Sequence, residues 1–64
     1  MEIDDARAFL IAEDLIDEHG DEVGAYLQSR IDSLFRSGNI EQFTAWTIIR
    51  NAVAITLLAS RTRH

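Results

Sequence analysis

The 64-residue sequence predicts an all-α fold, a small three-helix domain with helices at about 5–19, 22–37 and 40–61 and the third helix central. Three observations carry that expectation. Apolar residues recur at spacings of three and four, the spacing that gathers them on one side of a helix, and strict alternation is absent. Gly20 followed by Asp21, and Gly38 followed by Asn39, each pair a helix-stopping residue with a helix-capping one. Proline, the strongest helix breaker, does not occur.

In the first element Asp4 is placed to cap a helix beginning at Asp5, with Ile3 in position to staple back onto the first turn. Ala6, Phe9, Leu10, Ala12 and Ile16, with Leu15 at the margin, form the expected apolar stripe. Arg7, Glu13, Asp14, Asp17 and Glu18 take the other face, and Ile11 departs from the stripe. Gly20 is expected to end the helix in a left-handed conformation, and His19 sits where the helix dipole favours an imidazolium.

Asp21 is the expected cap of the second helix, so the link is short enough to force a tight corner or a hairpin. Val23, Tyr26, Leu27, Ile31, Leu34 and Phe35 make its stripe; Gln28, Ser29, Asp32, Ser33 and Arg36 face outward. Gly24 lowers helix propensity by about 1 kcal/mol relative to alanine, which close approach of the first helix would explain. Gly38 and Asn39 repeat the stop and the cap.

The third element carries the longest apolar-rich run and the single tryptophan. Asn39 with Gln42 three residues on fits a capping box. At about 100° per residue, Trp46, Ile49, Val53 and Leu57 gather on one side and Ala45, Ile48, Ala52, Ile55 and Ala59 on another, together spanning roughly 200°. A surface helix needs about half of that arc, so this one is expected to be touched from more than one side. Its β-branched residues do not alternate, which argues against a strand. Arg50 and Asn51 divide the run and leave residues 52–59, short of the roughly 20 apolar residues of a membrane span. The tail Arg61 to His64 is polar and is expected to fray.

Composition narrows the function classes. A chain of this length reads as one domain, residues 1–64, with little volume left for a substrate pocket. Without cysteine it has neither a disulfide nor a thiolate metal site. The net charge of −5 is unevenly placed: residues 1–24 hold nine carboxylates against one arginine, a net of −8, and residues 25–64 hold five arginines against two carboxylates. Such a charge argues against general nucleic-acid affinity. The N-terminal MEIDDARAF is acidic and lacks the apolar core of a signal peptide, so the expected location is cytoplasmic.

The motifs that could carry chemistry are weak. A di-iron Glu-x-x-His site would need a ligand three residues before His19, and that residue is Ile16. Asp14 and Glu18 could share a cation, but a solvated acidic face accounts for them, and the EF-hand pattern is missing. His19 lies at a helix end and His64 at the terminus, neither beside an evident nucleophile. Expected catalytic, cofactor and metal residues are therefore none. The corner Ser37-Gly38-Asn39 invites a helix-turn-helix reading, yet the residues that would enter the groove, Ile40 to Ala45, include no arginine and one carboxylate. Trp46 suits either a core or an interface anchor.

His19-Gly20-Asp21, Arg30, Asp32, Leu34, Gly38, Glu41, Trp46, Ile49 and Ala52 follow a pattern HGD…RxDxL…G[DN]xE…WxxIxxA. In these residues the chain resembles a group of small uncharacterised alphaproteobacterial helical proteins, a domain of unknown function, over roughly residues 12–53. The resemblance implies a compact bacterial helical domain and transfers no site residue. Gln42 stands where that group has glycine, and residues 53–59 are more apolar than in the group.

The resulting expectation is a non-enzymatic interaction or regulatory module acting as a homodimer, without cofactor, nucleic acid or membrane. Its expected interface is Trp46, Ile49, Val53, Leu57 and Leu58. The alternative is an acidic mimic of nucleic acid that inhibits a DNA-binding protein, which rests on the charge of residues 1–24.

Overall fold

The structure, a computed structural model, describes residues 4–61. The expected staple at Ile3 and the tail at residues 62–64 lie outside them. The described residues are almost entirely helical and contain no strand: α1 is Asp5–His19, a single 3₁₀ turn follows at Gly20–Glu22, α2 is Val23–Ser37 and α3 is Ile40–Arg61. The all-α expectation holds, but the count of three separate helices is corrected. Residues 5–37 form one continuous helical stretch, bent at its 3₁₀ turn into α1 and α2, and residues 40–61 form the second.

Local chemistry accounts for the bend. Asp4 starts α1 by accepting the Arg7 N–H at 2.7 Å on Oδ1. Gly20 ends it with φ 58, its own N–H donating to the Ile16 carbonyl. Asp21 was expected to cap α2 and does not: it is absorbed into the 3₁₀ turn, and the residue before α2, Glu22, makes no side-chain cap. The second corner is a true break. Gly38 is left-handed at φ 74 and ψ 16, its N–H donates to the Phe35 carbonyl and the Asn39 N–H to the Leu34 carbonyl, the two bonds of a Schellman motif. Asn39 then opens α3 by accepting the Gln42 N–H at 3.2 Å.

Tertiary packing centres on α3, whose contact with α1 is the most extensive in the molecule and which also packs on α2. The core is Ala8, Ala12 and Leu15 from α1, Val23, Leu27 and Ile31 from α2, and Ala45, Ile49, Ala52 and Val53 from α3. Four of these ten are alanines. Ala8 and Ala12 are one turn apart on α1, Ala45 and Ala52 two turns apart on α3, and Ala8 and Ala52 line the same groove. Short side chains at a helix crossing let the two backbones approach closely.

Phe9, Ala12, Leu15 and Ile16 face the core as expected, and the crossing changes only the edges of the α1 stripe. Leu10, expected in the core, is 66% exposed and Ala6 is exposed, whereas Ala8 is buried and Ile11 packs against the core at half exposure. Phe35 of α2, also expected inside, is exposed. Gly24 is not a point of close approach either, because a Cβ built there meets nothing within 4 Å.

With 22 residues α3 is about 33 Å long, against about 22 Å for the 15 residues of α1 or α2. The molecule is accordingly elongated, 41 × 23 × 16 Å. From Ala54 to Ser60 every residue of α3 is exposed except Thr56, whose hydroxyl donates to the Ala52 carbonyl at 2.8 Å.

Ala12→Leu is expected to overpack the crossing and lower stability by about 1–3 kcal/mol or more in urea unfolding. The same change at exposed Ala25 is expected to stay within about 0.5 kcal/mol. Equal losses at both positions would show that the alanines do not set the helix distance.

Candidate functional site

The five residues expected to form an interface do not lie together. Ile49 and Val53 are 2% and 3% exposed inside the subunit's own core and leave no surface for a partner, which corrects that part of the expectation. They sit on the sector of α3 that α1 and α2 cover, and a helical wheel alone does not say which sector that is. Leu57 and Leu58 remain exposed, at 38% and 64%.

Trp46 is half-buried and held by α2. The His19 ring stacks on Tyr26 with centroids 4.1 Å apart and planes at 17°, and Tyr26 meets Trp46 edge to face at 6.2 Å and 66°. The Arg30 guanidinium lies over Trp46 at 5.4 Å from the ring centroid. One aromatic chain thus joins the end of α1, the face of α2 and the first half of α3. Edge-to-face and cation–π geometries each add roughly 0.5–1 kcal/mol beyond burial, so the chain fixes where the helices meet.

The sequence reading missed other exposed apolar side chains. Phe35 and Ile40, 72% and 77% exposed, flank the Gly38 corner, where Phe35 packs against Phe43 with ring centroids 5.8 Å apart. Ile55, also exposed, lies near the far end of α3 with Leu57 and Leu58. A signal existed for the first pair: both sit within three residues of a left-handed glycine, where the chain turns and neighbouring helices cannot cover both sides.

Grooves and charges offer little for chemistry. An open groove of about 220 Å³ between α1 and α3 is lined by Asp5, Ala8, Phe9, Ile48, Asn51, Ala52 and Ile55. Two further open grooves, of about 470 and 370 Å³, lie along the outer face of α2 and between α1 and the last turns of α3. Glu13, Asp14, Asp17, Glu18, Asp21 and Glu22 are all exposed, and among the described residues no three ligating side chains cluster as a metal site would require.

The unbroken course of α3 revises one argument. By length and composition Ile40–Ser60 is apolar enough to cross a membrane, so length does not set it apart from a membrane span. Arg50 and Asn51 are exposed near its midpoint, and one charge at the centre of a span costs about 2.5–3.5 kcal/mol on insertion scales. The core face of the helix is already covered by α1 and α2.

The chain matches no family model, and no curated protein or solved structure is significantly similar to it.

Arg30→Ala is expected to cost about 0.5–1 kcal/mol and to change the emission of Trp46, the only tryptophan. Unchanged fluorescence and stability would show that the guanidinium contributes nothing over the ring.

Proposed function

We propose that the chain is a single-domain, non-enzymatic interaction module that works as a homodimer through α3. The observation that carries this reading is the apolar surface left on one helix: Ile40, Ile55, Leu57 and Leu58 are all exposed on α3, in a domain whose core already holds Ala45, Ile49, Ala52 and Val53 of the same helix. A helix whose apolar residues span roughly 200° has more apolar surface than one covered face accounts for. Exposed apolar area of this kind, gathered along one element, favours association. The stacking of His19 on Tyr26 fits a role without catalysis. A cytoplasmic location, and kinship with the small alphaproteobacterial helical proteins, belong to the same proposal.

Sedimentation equilibrium at micromolar concentration is expected to return twice the chain mass. Leu57→Ser combined with Leu58→Ser is expected to weaken the dimer at least tenfold while far-ultraviolet circular dichroism stays unchanged. A chain that is monomeric throughout the micromolar range refutes the reading.

The second reading, an acidic mimic of nucleic acid, is favoured by the exposure of all six carboxylates from Glu13 to Glu22. It predicts capture of a basic DNA-binding protein that weakens steeply with salt. Neutralising Asp14, Asp17 and Glu18 together is expected to abolish that capture, and an unchanged capture at low salt rules the mimic out.

A further inference from the structure

The side on which α2 meets α3 has a charge opposite to that of the chain as a whole. Eleven carboxylates stand against six arginines in the sequence. Here, however, Arg30 and Arg50 are both exposed, and half-buried Trp46 lies under the Arg30 guanidinium and one helical turn before Arg50. No residue three or four positions from Arg30, Trp46 or Arg50, the spacing at which helix neighbours meet, is acidic. Among the described residues neither guanidinium is held in an ion pair. Leu57, 38% exposed, stands about 20° from Trp46 around α3 and extends the stripe with apolar surface.

We propose that this side of α2 and α3 docks an acidic segment of a partner protein, its carboxylates on Arg30 and Arg50 and its apolar side chains against Trp46 and Leu57. The inference rests on the interaction-module reading above, independently of the dimer, and adds the chemistry of what the module takes.

The composition of the site favours a protein. Tryptophan, tyrosine and arginine are the residues that dominate binding energies at protein interfaces, and one of each is already in contact here. Arg30 is also arranged before a partner arrives. Its guanidinium lies 5.4 Å from the Trp46 ring centroid, and that ring is held in turn by the edge-to-face contact with Tyr26. A guanidinium stacked on an aromatic ring keeps its N–H groups at the rim of its own plane, where a carboxylate can accept two of them. Less side-chain freedom is lost on binding than an unsupported arginine would lose.

Charge decides between an acidic protein segment and a nucleic acid. The net charge of −5 opposes a polyphosphate, whose charge is continuous along its length. A protein segment carries its carboxylates at a few places, and at physiological salt those more than about 8 Å from the carboxylates of residues 1–24 are largely screened from them. Trp46, half-buried beneath a guanidinium, is also poorly placed to stack on a base.

The single tryptophan lies in the site and supplies the readout. The full chain is titrated with a short synthetic peptide of Glu-Glu-Leu repeats at low salt, and the change in Trp46 emission is followed to saturation. Binding is expected, weakening at least fivefold at physiological ionic strength. Arg30→Gln and Arg50→Gln are each expected to weaken it roughly fivefold with far-ultraviolet circular dichroism unchanged, and Arg30→Lys to restore it only in part, because lysine keeps the charge without the fork. Arg36→Gln, at an exposed arginine elsewhere on α2, is expected to change nothing. No saturable emission change with the acidic peptide, an equal loss in Arg36→Gln, or equal binding of a Lys-Lys-Leu peptide would each overturn the proposal. Tighter binding of an oligothymidylate, lost in Arg30→Gln, would give the face to nucleic acid and overturn it as well. Sedimentation of the unmixed chain reads the dimer separately, so failure of this site and failure of the homodimer reading are distinguishable.

Discussion

The close crossing of α1 on α3 is the contact on which the rest of the molecule depends. Ala8 and Ala12 on one helix and Ala52 on the other contribute little volume, yet all three are buried in one core cluster. Their value is the distance they permit. Larger residues around them, Leu15, Leu27, Ile49 and Val53, can then interlock into one core despite the small size of the domain. A small helical domain without disulfide or metal has few other means of burying enough surface.

The same crossing dictates what stays outside. Once α1 turns its alanines inward, Leu10 points to solvent, and Phe35 of α2 stays exposed even where its ring packs against Phe43 of α3. Helix α3 is seven residues longer than either neighbour, and its Leu57 and Leu58 stay exposed although Phe9 and Glu13 of α1 line a groove with Ile55, Ala59 and Ser60. The exposed apolar residues are consequences of packing geometry.

Much of the local structure was legible from residue order. Asp4, Asn39, Gly20 and Gly38 each perform the capping or stopping role that their side chains, or the lack of one, make favourable. The illegible part concerned which side of each helix faces inward. A wheel weighted by hydrophobicity favours Leu10 over Ala8, because alanine counts for little by area. The crossing favours Ala8 because it is small. Asp21 illustrates a related limit: its type suits a cap, but the bend continued as a 3₁₀ turn and took that residue into itself. The residues expected at an interface were hard to place for the same reason. Leu57 and Leu58 stay exposed, whereas Ile49 and Val53, equally apolar, lie under α1 and α2.

The order of residues by itself determined that this chain is helical, that helices start after Asp4 and Asn39 and that the chain breaks at Gly38, that its charge is concentrated in the first 24 residues, and that its last helix carries more apolar surface than one face requires. Those properties arise from interactions within a few residues or from composition, and both are present in the unfolded chain. Tertiary structure alone decided the burial of Ala8 in place of Leu10, the burial of Ile49 and Val53 and the aromatic chain from His19 to Trp46. Each of these depends on how closely two helices can approach, a quantity set by pairs of residues far apart in sequence.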